Sequence, residues 1–229
     1  MAALLVEPLI LGAGGMLMYG PDVLAQMRAI CQSHGVLFIA DEVMTGFGRT
    51  GTMFACDLAG IAPDILCLAK GLTGGSVPLA ATLCTGPIFE AHYAKDRAKT
   101  FFHSSSYTAN PICCAAAAAN LALWRTEPVQ ERVTNLVELQ TANLAAFGDD
   151  ARFVNVRQTG TIVAMDVAGP GAGYLAQIAL PLRAAAVRRG VLLRPLGETI
   201  YVMPPYCTTP AELATVYATI RDCVAEVLA

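Results

Sequence analysis

The stretch "APDILCLAKGLTGG", residues 62–75, places an apolar run directly before a lysine and a glycine-rich turn. The apolar run has the length and composition of a buried strand bounded by turn signals. The chain has three lysines, and Lys95 and Lys99 lie together in the polar stretch "YAKDRAKT". Lys70 instead ends the predicted strand, where desolvation disfavours an ammonium ion. Its position suggests a chemical role, although a lysine that reaches solvent from the edge of the core is the alternative.

The segments on either side alternate strand and helix. Before the quoted stretch, "ALLVEP" predicts a strand, "PDVLAQMRAICQSHG" a helix from Pro21 that ends at Gly35, and "VLFIADE" a second buried strand. After it, "PLAATLCTG" predicts a further strand. This pattern predicts an α/β fold with a mostly parallel sheet, in which ligands bind beyond the carboxyl ends of the strands, where Asp41 and Lys70 lie. The motif "GAGG", residues 12–15, lacks the surroundings of a phosphate-binding loop and predicts a turn.

The second half of the chain has a different pattern. Asn110 and Pro111 have the character of an N-cap and first residue for an Ala-rich helix, and a long amphipathic helix follows. Two strands, a helix, a strand pair and a final helix come next, which predicts a compact α+β domain. We therefore expect a large domain, of which residues 1–128 form the C-terminal part, and a small C-terminal domain, residues 129–229.

Composition restricts the classes of function. The 229-residue chain is 55% hydrophobic and 14% charged, with a net charge of −3, which is typical of a soluble globular protein. It lacks the clustered Lys and Arg that bind nucleic acid, and its longest apolar stretch, residues 112–124, is shorter than a bilayer span and contains Asn120. The N-terminus lacks the features of a signal peptide, so we expect a cytoplasmic protein. The eight cysteines have no metal-ligand spacing and are expected to be buried free thiols.

Asp41 and Lys70 together suggest a particular chemistry. A neutral lysine amine attacks an aldehyde to form an imine, and a carboxylate beside a pyridine nitrogen keeps that nitrogen protonated. The two residues, at the ends of neighbouring predicted strands, match the requirements of pyridoxal phosphate (PLP) chemistry. Taken alone, Asp41 has commoner explanations as a helix cap or an ion-pair partner.

Two further segments contribute candidate binding groups. The segment "HSSSYTANP" contains Ser104, Ser105 and Ser106 shortly before a predicted helix N-terminus, where hydroxyl and N–H groups suit a phosphate, although such a cluster is also typical of a turn. Arg194 ends a predicted apolar strand, where a guanidinium can hold a substrate carboxylate or form a structural ion pair. Tyr201 suits a pocket wall and a core position equally well.

Four segments, taken in order, resemble the class III (fold type I) PLP-dependent aminotransferases: "LFIADEVMTGFGRTG", "PDILCLAKGLTGG", "HSSSYTANP" and "RPLGETIYVMPPY". The resemblance implies that Lys70 is the Schiff-base lysine and Asp41 the partner of the pyridinium ring. It also implies that Ser106, with Ser105, reaches the phosphate of the PLP held by a neighbouring subunit. A homodimer with shared active sites is therefore expected.

The same resemblance implies the roles of the remaining candidates. Ser104 corresponds to a substrate-contacting position, Arg194 to the arginine that binds the carboxylate of the keto substrate, and Tyr201 to a nearby pocket tyrosine. The segments "EPLILGAGGMLMY" and "IYVMPPY" favour the branch that converts 8-amino-7-oxononanoate to 7,8-diaminononanoate in biotin biosynthesis, with S-adenosylmethionine as amino donor. One alternative is an enzyme of the same class that acts on another amine or ω-amino acid.

A second alternative is a non-catalytic chain that needs a separate N-terminal polypeptide. Members of the family are much longer, and their N-terminal half supplies a Gly-Ser phosphate loop, an aromatic residue that stacks on the ring and a substrate tyrosine. The sequence has none of these and resembles a C-terminal portion that begins in the middle of the large domain. We therefore expect weak or no PLP binding by the 229-residue chain alone.

Overall fold

The computed structural model describes residues 1–103, 105–169 and 177–229. The strands in these ranges are β1 Ala3–Val6, β2 Ile10–Leu11, β3 Leu17–Met18, β4 Leu37–Asp41, β5 Ile65–Leu68, β6 Ala81–Cys84, β7 Phe153–Thr159, β8 Ile162–Val167 and β9 Thr199–Val202. The α-helices are α1 Pro21–Ser33, α2 Ala55–Leu58, α3 Gly86–His92, α4 Pro111–Thr126, α5 Val129–Leu144, α6 Ala179–Arg188 and α7 Pro210–Leu228. Short 3-10 helices cover Lys70–Thr73, Arg97–Lys99 and Ala145–Phe147. No helix in the described ranges is long and apolar enough to cross a membrane.

Contacts along the backbone divide the chain into two compact units. The first contains residues 1–8, 20–47 and 53–127, and the second contains residues 9–19, 48–52 and 128–229. The division after residue 127 falls close to the predicted boundary. The two short segments of the N-terminal half that group with the second unit were not predicted from the sequence.

The first unit is built on a four-stranded sheet in the order β1-β4-β5-β6. The pairs β1–β4 and β4–β5 are parallel, which confirms the predicted α/β fold with a mostly parallel sheet. Strand β6 pairs with β5 in the antiparallel direction. Helix α4 begins at Pro111 as predicted, since the Oδ1 of Asn110 accepts the N–H groups of Ile112 and Cys113 at 3.0 and 3.3 Å.

Asp64 joins three elements of the first unit at the start of β5. Its carboxylate accepts two hydrogen bonds from Arg28 of α1, at 2.7 and 3.1 Å, and one from the N–H of Phe38 of β4, at 2.8 Å. Burial alone would raise the pKa of Asp64, but the bonds from Phe38 and Arg28 outweigh burial and hold the pKa below its ordinary value. The carboxylate therefore stabilises the sheet in its charged form.

The second unit packs α5, α6 and α7 against the antiparallel sheet β7-β8-β9. Every residue of β8 is buried, including Asp166, whose carboxylate accepts the Thr199 hydroxyl at 2.8 Å. The core includes Phe147, Met165, Leu182, Ile200, Leu213 and Tyr217. The hydroxyl of Tyr217 donates to Oε1 of Gln140, whose Nε2 donates to the carbonyl of Thr161 at 2.9 Å. These bonds satisfy polar groups that would otherwise destabilise the core.

The predicted turn at residues 12–15 joins the short strands β2 and β3. Arg157 of β7 holds this turn, since its Nε and Nη2 donate to the carbonyls of Met16 and Gly15 at 2.9 and 2.8 Å. The same guanidinium forms two bonds of 3.0 Å with the carboxylate of Asp166. The hairpin is thereby tied to the sheet of the second unit.

The prediction of a strand pair around Arg194 is wrong. Residues 191–195 form no strand, and the chain turns through Gly197, at φ 61°, in a tight bridge between Leu196 and Thr199. Pro195 has no N–H with which to extend a strand ladder. Arg194 therefore lies in an irregular segment before β9, not at the end of a strand.

Candidate active site

Lys70 lies at the start of a 3-10 helix, two residues after β5 ends at Leu68, so the prediction that it ends the strand itself needs correction. The backbone φ of Lys70 is 37°, in the left-handed region, and its side chain is exposed. The N–H of Gly75 donates to the carbonyl of Lys70 at 2.9 Å, and the N–H of Leu72 donates to that of Ala69 at 2.8 Å. A non-glycine residue in this conformation costs about 1–3 kcal/mol and persists where its surroundings enforce it.

The residues after Lys70 are tightly packed. A Cβ atom at Gly71 would lie 2.7 Å from the Cβ of Phe47, so glycine is required there. Leu72 and Thr73 are buried, and the Thr73 hydroxyl donates to the carbonyl of Val77 at 2.6 Å. The buried residues after Lys70 therefore hold the turn in place, while the side chain of Lys70 remains exposed.

An open pocket of about 610 Å³ surrounds the lysine within the first unit. Its walls are formed by Ala69, Lys70, Gly75, Val77, Pro78, Leu79 and Ala80. The lining is mostly apolar, with Lys70 as its ionisable side chain. Pockets that combine apolar walls with a few placed polar groups are typical of small-molecule sites.

Asp41 is the last residue of β4 and lies opposite Cys67 in the parallel register with β5. Its side chain is half-buried, and its Oδ1 accepts the N–H of Val43 at 3.1 Å. Because Lys70 follows Cys67 by three residues, both charged groups lie at the carboxyl end of the parallel strands. This is the edge at which open α/β sheets bind ligands.

Glu42, next to Asp41, has a different environment. It is fully buried, and its carboxylate accepts hydrogen bonds from the Thr45 hydroxyl at 2.8 Å and the N–H groups of Ala55 and Cys56 at 2.8 and 2.9 Å. Burial, and then the nearby carboxylate, raise the pKa of the Cys56 thiol. Glu42 therefore holds the start of α2, and Cys56 is an unreactive thiol.

Ser105 and Ser106 lie in an exposed turn shortly before α4. The N–H of Ser105 donates to the Thr108 hydroxyl at 3.0 Å, and its own hydroxyl accepts the N–H of Tyr107 at 3.3 Å. The segment thus forms a turn, and the phosphate-binding role of Ser105 and Ser106 stays a prediction. Ser104, the predicted substrate-contacting residue, lies outside the described residues.

The remaining predicted residues belong to the second unit. Arg194 is exposed, and among the residues that the structure describes no carboxylate pairs with its guanidinium. The predicted alternative of a structural ion pair is therefore not observed in those ranges. Tyr201 of β9 is half-buried opposite Ala164 of β8.

Arg49 has a supporting role that was not predicted from the sequence. Its Nη1 donates to the carbonyl of Pro204 at 2.6 Å, and its guanidinium lies 4.7 Å from the ring centre of Tyr206. Burial lowers its pKa from the ordinary value, although the nearby Tyr206 opposes this. Arg49 thus holds the segment that follows Tyr201 in the second unit. The sequence signal for this role is that Arg49 is the single charged residue in the glycine-rich stretch "TGFGRTG".

The cysteines differ from one another in burial. All eight are free; Cys31, Cys56 and Cys223 are buried, whereas Cys84, Cys114 and Cys207 are exposed. The expectation of buried thiols is therefore wrong for these last three. In the described part of the chain, no group of His, Cys, Asp and Glu side chains is arranged to hold a metal ion.

Comparison with known proteins adds to this geometry. The family described as "Aminotransferase class-III" matches residues 1–224. The adenosylmethionine-8-amino-7-oxononanoate aminotransferase of Synechococcus elongatus is 47% identical over 226 residues, which cover 99% of this chain and 53% of that protein. The chain thus spans about half the length of this relative.

Two solved structures of aminotransferases are also similar to this chain. The adenosylmethionine-8-amino-7-oxononanoate aminotransferase of Methanocaldococcus jannaschii superposes with a TM-score of 0.91 at 32% identity, over 97% of this chain and 53% of that one. An amine transaminase from an uncultivated Pseudomonas species, in a PLP-bound form, has a TM-score of 0.88 at 33% identity, over 98% and 52%. Both similarities cover nearly all of this chain.

Proposed function

Because this chain belongs to the class III aminotransferase family, we propose that it acts in the PLP-dependent transamination of 8-amino-7-oxononanoate to 7,8-diaminononanoate. S-adenosylmethionine is the amino donor in this proposal, and the reaction takes place in the cytoplasm during biotin biosynthesis. The names of several relatives that are 39–47% identical support the choice of substrates. The observation that carries the proposal is Lys70, exposed in a strained backbone conformation beside an open pocket.

The residues of the first unit fit PLP. The pocket has room for a pyridine ring between apolar walls, a primary amine faces it, and a carboxylate lies at the same end of the sheet. When bound, PLP supplies an aldehyde that links to amino groups and a ring that draws electrons from the substrate carbon. Ser105 and Ser106, with their hydroxyls in an exposed turn, would hold the phosphate of the PLP in a second copy of the chain. The proposed active form is therefore a homodimer.

Lys70 and Asp41 have separate tasks in this proposal. The Nζ of Lys70 would hold the cofactor at rest and would then accept the proton that leaves the α-carbon of the amino donor. The carboxylate of Asp41 would keep a proton on the ring nitrogen by charge attraction. The N–H of Val43 donates to Oδ1 of Asp41 at 3.1 Å, which helps to hold the side chain in place.

Arg194 and Tyr201 bind the keto substrate in this proposal. A guanidinium without a carboxylate partner in the described residues is free to hold the substrate carboxylate in a two-bond fork. Tyr201, half-buried in β9, lines the same binding region in the proposal. Ser104 is assigned the substrate-contacting role that the family resemblance implies.

The three lysines make a direct test possible. The chain is incubated with PLP, reduced with borohydride and digested, and the modified lysine is identified by mass spectrometry. Although little PLP is expected to bind the chain alone, borohydride traps the fraction that does, and we expect this adduct on Lys70, lost in Lys70→Ala and retained in the matched variant Lys95→Ala. An adduct that forms only on Lys95 or Lys99 would refute the assignment of Lys70. Formation of 7,8-diaminononanoate, compared among several amino donors, then tests the substrates against another amine or ω-amino acid.

A second candidate is a chain that becomes catalytic only with further polypeptide. It is favoured by the exposed apolar side chains of Ile112, Leu121 and Leu123 on α4 and by the coverage of about half of the relatives. In that case the chain alone gives no PLP adduct. The adduct on Lys70 appears when a polypeptide with the uncovered half of the Synechococcus elongatus relative is added.

A further inference from the structure

Asn120 interrupts an otherwise apolar face of α4. Ala117, three residues earlier and therefore on the same side of the helix, is buried in a cluster with Phe47, Leu68 and Leu72. Helix α4 packs with this side against the 3-10 helix that begins at Lys70. An asparagine inside a helix is less favourable than the alanines around it, so its presence here needs a specific partner.

The partner is the backbone directly after Lys70. The Nδ2 of Asn120 donates to the carbonyl of Gly71 at 2.8 Å and to that of Leu72 at 3.1 Å. Both carbonyls belong to the helix Lys70–Thr73. A Cβ at Gly74 would lie 3.1 Å from the Oδ1 of Asn120, so the amide lies close against the end of this short helix as well.

These two bonds add to the backbone hydrogen bonds of the strained turn, in which the N–H of Gly74 already donates to the carbonyl of Gly71 at 3.0 Å. The last carbonyls of a short helix have no partners within the helix, and Asn120 supplies a donor to that of Leu72. The N–H of Gly75, at the other end of the turn, donates to the carbonyl of Lys70. A left-handed lysine is retained only while such contacts enforce its conformation.

We propose that Asn120 is a positioning residue for Lys70: its side-chain amide holds the carbonyls of Gly71 and Leu72 and thereby keeps the lysine in its left-handed backbone conformation beside the pocket. The role assigned to the lysine rests on the proposed function. The contact between the Asn120 amide and the turn does not rest on the proposed function. The positioning role of Asn120 and the proposed function can therefore be refuted separately.

The test uses Asn120→Asp, which keeps the shape of the side chain but replaces the donor with an oxygen facing two carbonyls. Amide hydrogen exchange is measured at Leu72 and Gly75, whose N–H groups close the turn. We expect exchange to be about fivefold faster or more, the factor for one lost hydrogen bond. Exchange at Phe38 and Glu42 in and after β4 stays unchanged. Asn135→Ala, an exposed asparagine of α5, is the matched control and leaves all these rates unaltered.

A second measurement reports on the lysine itself. The rate of reductive methylation of Lys70 is divided by that of Lys99 in the same molecule, which cancels differences in protein concentration and reagent. We expect this ratio to change in Asn120→Asp and in Asn120→Ala, but not in Asn135→Ala. Restoration of a donor in Asn120→Gln should move the ratio back towards that of the unaltered chain.

Three outcomes would overturn the proposal. The first is an unchanged exchange rate and an unchanged lysine ratio in both variants. The second is equal acceleration at Phe38, Glu42, Leu72 and Gly75, which would assign Asn120 to general stability. The third is failure of both variants to fold. Asn120→Ala raises helix propensity and introduces no charge, so its failure to fold would mean that Asn120 is needed for the whole fold and not only for the turn. The expected result for Asn120 together with a PLP adduct only on Lys95 or Lys99 would instead contradict the proposed function alone.

Discussion

Asp41 lies opposite Cys67 across two parallel strands, so the chain reaches Lys70 only three residues beyond the partner of Asp41. The two charged residues share the carboxyl end of the sheet because parallel strands end at the same edge. The relationship depends on the backbone register. Any change that shifts β4 against β5 would alter the positions of the two residues relative to each other.

Asp41→Asn should reduce the rate of transamination in the catalytically competent protein by roughly a hundredfold, the loss typical of removing one preorganised electrostatic group. The amide keeps the shape of the side chain but cannot hold the ring proton by charge. Steady-state kinetics of 7,8-diaminononanoate formation provide the measurement. The exposed Asp57 supplies the control Asp57→Asn, and equal rates in the two variants would contradict the role of Asp41.

Glu42→Gln should lower the free energy of unfolding by about 1–3 kcal/mol, because a buried carboxylate with three donors becomes an amide that can face only some of them. Urea unfolding followed by circular dichroism measures the change. The exposed Glu138 of α5 gives the matched variant Glu138→Gln, for which no loss is expected.

Acid should destabilise the protein partly through Asp64. Its pKa in the folded chain lies below the ordinary value, so its contribution to stability is complete above the unfolded pKa and disappears as the pH falls through the folded pKa. Unfolding measured from neutral pH down to strongly acidic pH should show a shallower decline in Asp64→Asn than in the unaltered chain. An identical decline would mean that Arg28 and Phe38 do not favour the charged form.

Gly71→Ala should destabilise the first unit by about 1–3 kcal/mol, since the added methyl group meets the side chain of Phe47 in a packed region. The control is Gly86→Ala, where nothing lies within 4 Å of the added atom. Thermal unfolding distinguishes the two variants. The same substitution at Gly71 should also alter the methylation ratio of Lys70 to Lys99.

Arg194→Ala should raise the KM for 8-amino-7-oxononanoate by roughly tenfold or more, as expected for the loss of a charged hydrogen bond, with a smaller effect on the KM for the amino donor. The exposed Arg183 of α6 provides the control Arg183→Ala. Equal changes in both KM values would indicate a general effect on the fold.

The elements that carry Asp41 and Lys70 were predictable because each strand is a short apolar run bounded by turn residues. The antiparallel direction of β6 was not, since the orientation of a strand depends on the path of its connection and not on its composition. The hairpin of β2 and β3 has two residues in each strand, too few for a periodic signal.

The supporting residues were harder to predict than the charged ones. The partner of Arg49 is 155 residues away in sequence, and the partners of Asn120 are 48 and 49 residues away. Such contacts follow from tertiary packing, which local patterns do not encode. The left-handed φ of Lys70 likewise leaves no trace in the sequence, because lysine has no preference for that conformation.

The second unit is assembled from three separate stretches of chain, which has a consequence for biosynthesis. The carbonyl of Gly15 accepts its hydrogen bond from Arg157, which is 142 residues further along the chain. Arg49 likewise donates to the carbonyl of Pro204, which is synthesised much later. A ribosome that has released only the first half of the chain has produced residues 9–19 and 48–52 without their partners. Contacts of such long sequence separation form slowly. Residues 9–19 and 48–52 should therefore reach their final packing only after Arg157 and Pro204 have been synthesised.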